Sequence, residues 1–128
     1  MCYDFARLYP YSNSDAARAF HEIWITIHGN NSPVMEFAGT LDEETYWRLR
    51  QLLVKTANEG KIRNPEMYKH IGDGIYEFKA RTARVFSFND GRRVVLTHGG
   101  ERADRAVKER KQAKRVETEY LAWKGRKK

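Results

Sequence analysis

The apolar positions of this chain change period several times along its length. Ile23-Trp24-Ile25-Thr26-Ile27 is a short β-branched run and predicts a strand. Gly29-Asn30-Asn31-Ser32-Pro33 predicts a turn after it. Residues 1–14 are rich in Tyr, Asn and Ser and show no clear period. Ser14-Asp15 offers side-chain oxygens that can cap a short helix running to about residue 22. Val34-Met35-Glu36-Phe37 reads as a second short strand. The spacing then becomes helical. Tyr46, Leu49, Leu53 and Ala57, flanked by Trp47 and Leu52, form a stripe expected in the core. Thr40-Leu41-Asp42-Glu43 ahead of it reads as a capping box, and Gly60 suits the left-handed position that ends a helix. Residues 61–70 contain Pro65 and read as a connector.

Beyond the connector the pattern predicts strands at residues 74–81, 84–88 and 92–98. The first alternates, with Tyr76, Phe78 and Ala80 on one face and Ile75, Glu77, Lys79 and Arg81 on the other. Thr82-Ala83 makes a tight connection to the second strand. Asn89-Asp90-Gly91 makes a hairpin turn to the third, because Asp-Gly tolerates the positive φ such turns demand. Gly99-Gly100 breaks that strand. From about residue 104 to 123 the pattern is helical again, with Ala106, Val107, Ala113, Val116, Tyr120 and Leu121 as its apolar stripe. The opposite face carries Lys108, Arg110, Lys111, Lys114 and Arg115. Residues 124–128 form a basic tail expected to fray. The implied fold class is α+β: a small twisted antiparallel sheet packed on helices, with a basic C-terminal helix. The domain division is 1–32 as an N-terminal extension, 33–123 as the main domain and 124–128 as the tail.

Composition narrows the classes. The chain has 128 residues, enough for one domain with its own core, and 41% of them are apolar, too many for a disordered chain. Its single cysteine, Cys2, excludes an internal disulfide and any cysteine-rich zinc site, and it fits a reducing, cytoplasmic compartment. No apolar run approaches the ~20 residues of a membrane span, and residues 1–10 lack the apolar centre of a secretory signal. His21 and His28 have no ligand partner at helical spacing, so no metal is expected. With 24 Lys and Arg against 17 Asp and Glu the net charge is +7, which favours an anionic partner, nucleic acid first and an acidic protein second.

Residues 34–121, about two thirds of the chain, resemble the RelE/HigB superfamily of toxins from type II toxin–antitoxin modules, and within it the phage-derived HigB-like branch. The resemblance rests on ordered pieces. His70-Ile71-Gly72-Asp73-Gly74-Ile75-Tyr76-Glu77-Phe78-Lys79 is similar to the family's Leu-x-Gly-Leu-Tyr-Glu-Leu-Arg strand. Arg84-Val85-Phe86 is similar to its Tyr-Arg-Val-Phe strand, and Arg93-Val94-Val95-Leu96-Thr97-His98-Gly99 to its Val-Val-Leu-Leu-His-Gly-Phe strand. Glu109 and Ala113 match the Glu-x-x-x-Ala of its last helix. The chain departs from the family after His98, where Gly100-Glu101-Arg102-Ala103 replaces the usual Phe and paired lysines. It departs again at Ala83, where the family has tyrosine.

The resemblance implies a RelE-like fold and metal-independent mRNA cleavage on the ribosome, with no cofactor. It implies an antitoxin partner, a helix-turn-helix protein that covers the basic sheet face. Cleavage by attack of the 2′-hydroxyl on the adjacent phosphate needs cations where charge builds up, and gains from an acid and a base. Lys79, Arg81 and Arg84 converge at one strand junction. Arg84 holds the position of the family's strand arginine and is the first candidate for the phosphate clamp. Arg102 is the nearest second cation after the third strand, and His98 is the acid–base candidate. Glu77 is expected to pair with a basic neighbour such as Lys79 or Arg93. Arg105, Lys108, Lys111, Lys114 and Arg115 are candidates to follow RNA phosphates. Two rival classes remain: a catalytically weak RNA- or partner-binding module on the same fold, and a phage accessory protein. The plainest reading of the candidate residues is that these charges are a solvated surface and His98 is a structural strand histidine.

Overall fold

The computed structural model describes residues 3–60, 62, 64–101 and 106–126. Its elements follow the order β1 (Tyr3–Tyr9), α1 (Asn13–Arg18), β2 (Glu22–His28), α2 (Pro33–Ala38), α3 (Glu43–Glu59), β3 (Tyr68–Gly72), β4 (Ile75–Ala80), β5 (Ala83–Asp90), β6 (Arg93–Gly100) and α4 (Ala106–Arg126). The strands form one six-stranded sheet in the order β1-β2-β6-β5-β4-β3. It is α+β, as the pattern predicts, but mixed rather than wholly antiparallel. β2 runs parallel to β6, pairing Ile23 with Val94 and Ile25 with Leu96. The β4–β5 and β5–β6 pairs are antiparallel, as expected.

Helices cover both faces of the sheet. On one face, Leu49, Leu52, Leu53 and Ala57 of α3 and Val34 of α2 pack on Ile23, Phe78, Ala80, Val85, Val94 and Leu96. On the other, Ala113, Val116, Tyr120 and Trp123 of α4 pack on Phe5, Ile75, Phe86, Phe88 and Val95. This double coverage explains why β5 and β6 read as nearly continuous apolar runs.

Several local expectations give way to side-chain chemistry. Residues 34–37 are not a strand. Ser32 accepts a hydrogen bond from the Met35 amide and Pro33 occupies the first turn, so these residues form α2. α1 is capped by Ser12 rather than Ser14 and is shorter than expected. α3 is capped by Asp42, whose carboxylate accepts from the Thr45 amide, while the Thr40 hydroxyl donates to the Phe37 carbonyl. Gly60, at φ 87°, ends α3 as expected. Tyr46 and Trp47 lie at the surface, 37% and 47% exposed, and Leu52 takes the core position instead. In α4 the buried residues repeat as Ala113, Val116, Tyr120 and Trp123, whereas Val107 and Leu121 are exposed. The helix continues to Arg126, so the tail expected at residue 124 is helical as far as the described residues extend.

The first 28 residues supply β1, α1 and β2. β1 pairs antiparallel with β2 and carries the buried Phe5. Ile23 and Thr26 of β2 are fully buried, and the Thr26 hydroxyl donates to the Leu96 carbonyl. The strand expected at residues 23–27 is therefore present and is part of the main sheet. β3, which begins within the expected connector and runs two residues past it, is the outermost strand on the opposite side.

Gly99 and Gly100 do not break β6; both pair with β5. Their lack of a Cβ serves packing. A Cβ on Gly99 would lie 2.1 Å from the Phe37 ring of α2. Gly99→Ala is expected to displace α2 and lower stability by about 1–3 kcal/mol, the usual cost of overpacking. Thermal unfolding checks this. An unchanged melting temperature would mean that Phe37 swings clear without loss.

Candidate functional site

The α4 face of the sheet changes character toward the β4–β5 turn. Ile75, Phe86 and Phe88 pack under α4, and beyond them the same face turns polar. Register and the two-residue side-chain period place Glu77, Phe86 and His98 in one row across β4, β5 and β6, and Lys79, Arg84 and Gly100 in the next. Glu109, in the first turn of α4, closes over this area.

Glu77 is 1% exposed. Its Oε1 lies 3.8 Å from Arg84 Nε and 3.9 Å from Lys79 Nζ, and neither Oε1 nor Arg84 Nε has a hydrogen-bond partner. The carboxylate is thus held by two cations through space. Arg84 is anchored by its Nη1, which donates to the carbonyls of Arg81 and Ala83 at 2.8 and 3.1 Å. These bonds fix where the guanidinium sits. The expected pairing of Glu77 with a basic neighbour is met by Lys79 and Arg84, not by Arg93, which lies over the Trp24 ring.

Arg81 does not join them. It occupies the hairpin turn at φ 56°, so it leaves the strand period that would put it beside Lys79. Its side chain pairs with Glu44 of α3 at 2.5 Å. Arg102 and Arg105 lie outside the described residues.

His98 is 5% exposed and stacks on Phe86, with ring centroids 4.9 Å apart. Burial pushes its pKa below the ordinary 6.5, against the opposing pull of the Glu109 carboxylate. The His98 Nε2 lies 3.1 Å from Glu109 Oε2, and its Nδ1 lies 2.9 Å from the Thr97 hydroxyl, which also donates to the Phe86 carbonyl. Both ring nitrogens are engaged, so His98 ties α4 to β6.

A depressed histidine pKa favours the neutral form in the folded chain. The associated stability is fully present above about pH 6.5 and is lost as the pH falls below that value through the lowered folded pKa. In an NMR titration His98 is expected to protonate below 6.5. Glu109→Gln should move it lower still, because the one influence raising it is removed. A midpoint above 6.5 in the parent chain would contradict the burial argument.

The basic face of α4 divides in two. Lys114 is tied down, its Nζ donating to the Asp73 carbonyl and to Glu117. Arg110 likewise donates to the Ile71 carbonyl and pairs with Asp73. Lys108, Lys111 and Arg115 instead line a cleft of about 950 Å³ between α4 and the β1–β2 end of the sheet. This cleft was not legible in sequence, because Tyr3, Thr26 and His28 reach it only through the pairing of β1 and β2.

Among the described residues, no three His, Cys, Asp or Glu side chains are grouped so as to hold a metal ion, and no helix is long and apolar enough to cross a membrane. A search of curated proteins finds no match to this chain. Residues 36–118, running from α2 through most of α4 and including every described residue of the charged row, match the family described as phage-derived protein Gp49-like. The chain belongs to that family, which lies within the RelE/ParE-like toxin superfamily.

Proposed function

We propose that this protein is the toxin of a type II toxin–antitoxin pair and cleaves mRNA on the ribosome without a metal. The observation that carries the reading is the pairing of Lys79 with Arg84 on neighbouring strands, with Arg84 anchored through two carbonyls. Two fixed cations suit the phosphorane-like transition state formed when a 2′-hydroxyl attacks the adjacent phosphorus and the 5′-oxygen leaves. The products are a 2′,3′-cyclic phosphate and a 5′-hydroxyl. The attacking oxygen gives its proton to water, and the leaving oxygen takes one from water. His98 is not assigned to either transfer. Glu77 lies beside both cations and holds them in place for the phosphate. Arg102 belongs to the proposal as a further cation. The partner would be a helix-turn-helix antitoxin covering this face in the cytoplasm.

Induced expression without a partner is expected to arrest growth and to create new ends in translated mRNA, mapped by primer extension. A specific observation favours a second reading. Glu77 offsets Lys79 and Arg84, and Glu109 engages the buried His98, which suits a catalytically weak RNA-binding module. Robust growth with no new mRNA ends would select it.

A further inference from the structure

Tyr3 and His28 are cross-strand partners at the end of the β1–β2 pair, and their rings stack face to face, with centroids 4.3 Å apart and planes within 6°. Both line the cleft beneath α4. Across from them stand Lys108, Lys111 and Arg115, all exposed, at i, i+3 and i+7 on one side of the helix. Val107, Val116 and Pro33 give the cleft apolar walls, and no carboxylate is among its lining residues. Thr97 also lines it, and the Thr97 hydroxyl bonds the His98 ring. The cleft therefore runs up to the charged row.

We propose that this cleft is a track for single-stranded RNA, with one base stacking on the Tyr3–His28 pair and the flanking phosphates held by Lys108, Lys111 and Arg115. The inference rests on the RNA-directed reading above and adds a subsite to it. Aromatic faces beside a row of cations form the combination that binds single strands with little sequence preference, since every base has a π-face. The rings, not the charge, favour RNA over an acidic protein surface, because cations alone would serve the latter whereas the stacked rings add a flat apolar platform. The cations span about 10 Å along the helix axis, room for about three stacked nucleotides. Tyr3 and His28 lie outside the residues that match the family, so the platform is a feature of this chain's own N-terminal hairpin.

The test is binding of a fluorescein-labelled, unstructured RNA hexamer to the full chain, read by anisotropy across a salt series. It needs no cleavage. Tyr3→Leu and His28→Leu keep bulk but lose the ring, and each is expected to weaken binding about 5- to 100-fold, while Tyr3→Phe binds like the parent. Lys111→Ala should weaken binding and reduce the salt slope by about one. Thermal unfolding verifies that each variant is folded. RNA binding that depends on Lys111 but not on either ring would overturn the stacking subsite and leave the RNA reading standing. No RNA binding by the parent chain would overturn the track, while the ribosome-directed reading is decided separately by growth arrest and new mRNA ends. Displacement of bound RNA by a polyglutamate peptide whose own affinity is insensitive to Tyr3→Leu supports a base-specific platform; polyglutamate affinity that falls with Tyr3→Leu as much as RNA affinity does would overturn it.

Discussion

Arg84→Ala is expected to slow RNA cleavage by about 10²–10³-fold, the loss typical when one group that stabilises transition-state charge is removed. The argument depends on geometry as well as charge. Arg84 sits opposite Lys79 on the neighbouring strand, and its Nη1 is fixed by the carbonyls of Arg81 and Ala83. Arg84→Lys should recover only part of the rate, since it restores a positive charge without the planar fork that meets two phosphate oxygens. Stability must be followed in parallel. Without Arg84 the buried Glu77 keeps only Lys79, at 3.9 Å, and removing one partner of a buried pair can cost about 3–5 kcal/mol. Arg50 provides the control, because it lies over the Trp47 ring on α3, on the far face of the sheet. Its substitution should leave the rate unchanged. Full cleavage by a folded Arg84→Ala protein would place the chemistry elsewhere.

The C-terminal sheet was legible because its signals are local. The alternation in residues 74–81 and the Asp-Gly turn need no partner to be read, and they give β4, β5 and β6 nearly in place. What was not legible depended on distant residues. The end of α2 carries Phe37, which fits only because Gly99 on β6 lacks a Cβ, and a pair of adjacent glycines reads as a break when the ring filling their space is unknown. β1 shows no period because Phe5 alone of its seven residues is deeply buried while the rest are half covered or exposed. Within the candidate site, the sequence brought Lys79 and Arg84 together correctly. It misplaced Arg81, because a turn residue at positive φ drops out of the strand period, and the contact with Glu44 on α3 spans 37 positions.

The N-terminal hairpin changes what the family match means physically. The matched segment begins at residue 36, after both strands of that hairpin. Yet β2 contributes two fully buried side chains and a buried hydroxyl bond to β6. Without it β6 would be an exposed edge, a long apolar strand of the kind that invites pairing with other chains. The hairpin therefore closes the sheet on the side where the cleft forms, and it lengthens the surface that α4 overlies. Stability and the RNA track share that source.

The largest effect on stability is expected at Tyr120. This residue is fully buried where α4 meets the sheet, in contact with the rings of Phe5, Phe88 and Trp123. Its hydroxyl donates to Asp90 and accepts from Arg93. Tyr120→Ala removes the ring that joins α4 to both β1 and β5, and should cost about 3–5 kcal/mol. For a domain of this size the melting temperature should fall by about 10–20 °C. Tyr120→Phe keeps the packing and should cost about 1.5–3 kcal/mol, the usual range for lost hydrogen bonds to charged groups. The pH dependence separates the two terms. Burial pulls the Asp90 carboxyl up, but hydrogen bonds from Lys124 and Tyr120 outweigh it and hold the pKa below 3.8. A lowered carboxyl pKa contributes stability that is present above about pH 3.8 and is lost as the pH falls through the folded value. Tyr120→Phe removes one of the lowering bonds, so its deficit should be full at neutral pH and narrow in acid. The packing deficit of Tyr120→Ala should persist there. Chemical denaturation of the three proteins at pH 7 and pH 3 measures both. An equal deficit for Tyr120→Phe at the two pH values would show that the bond does not draw its strength from the Asp90 charge.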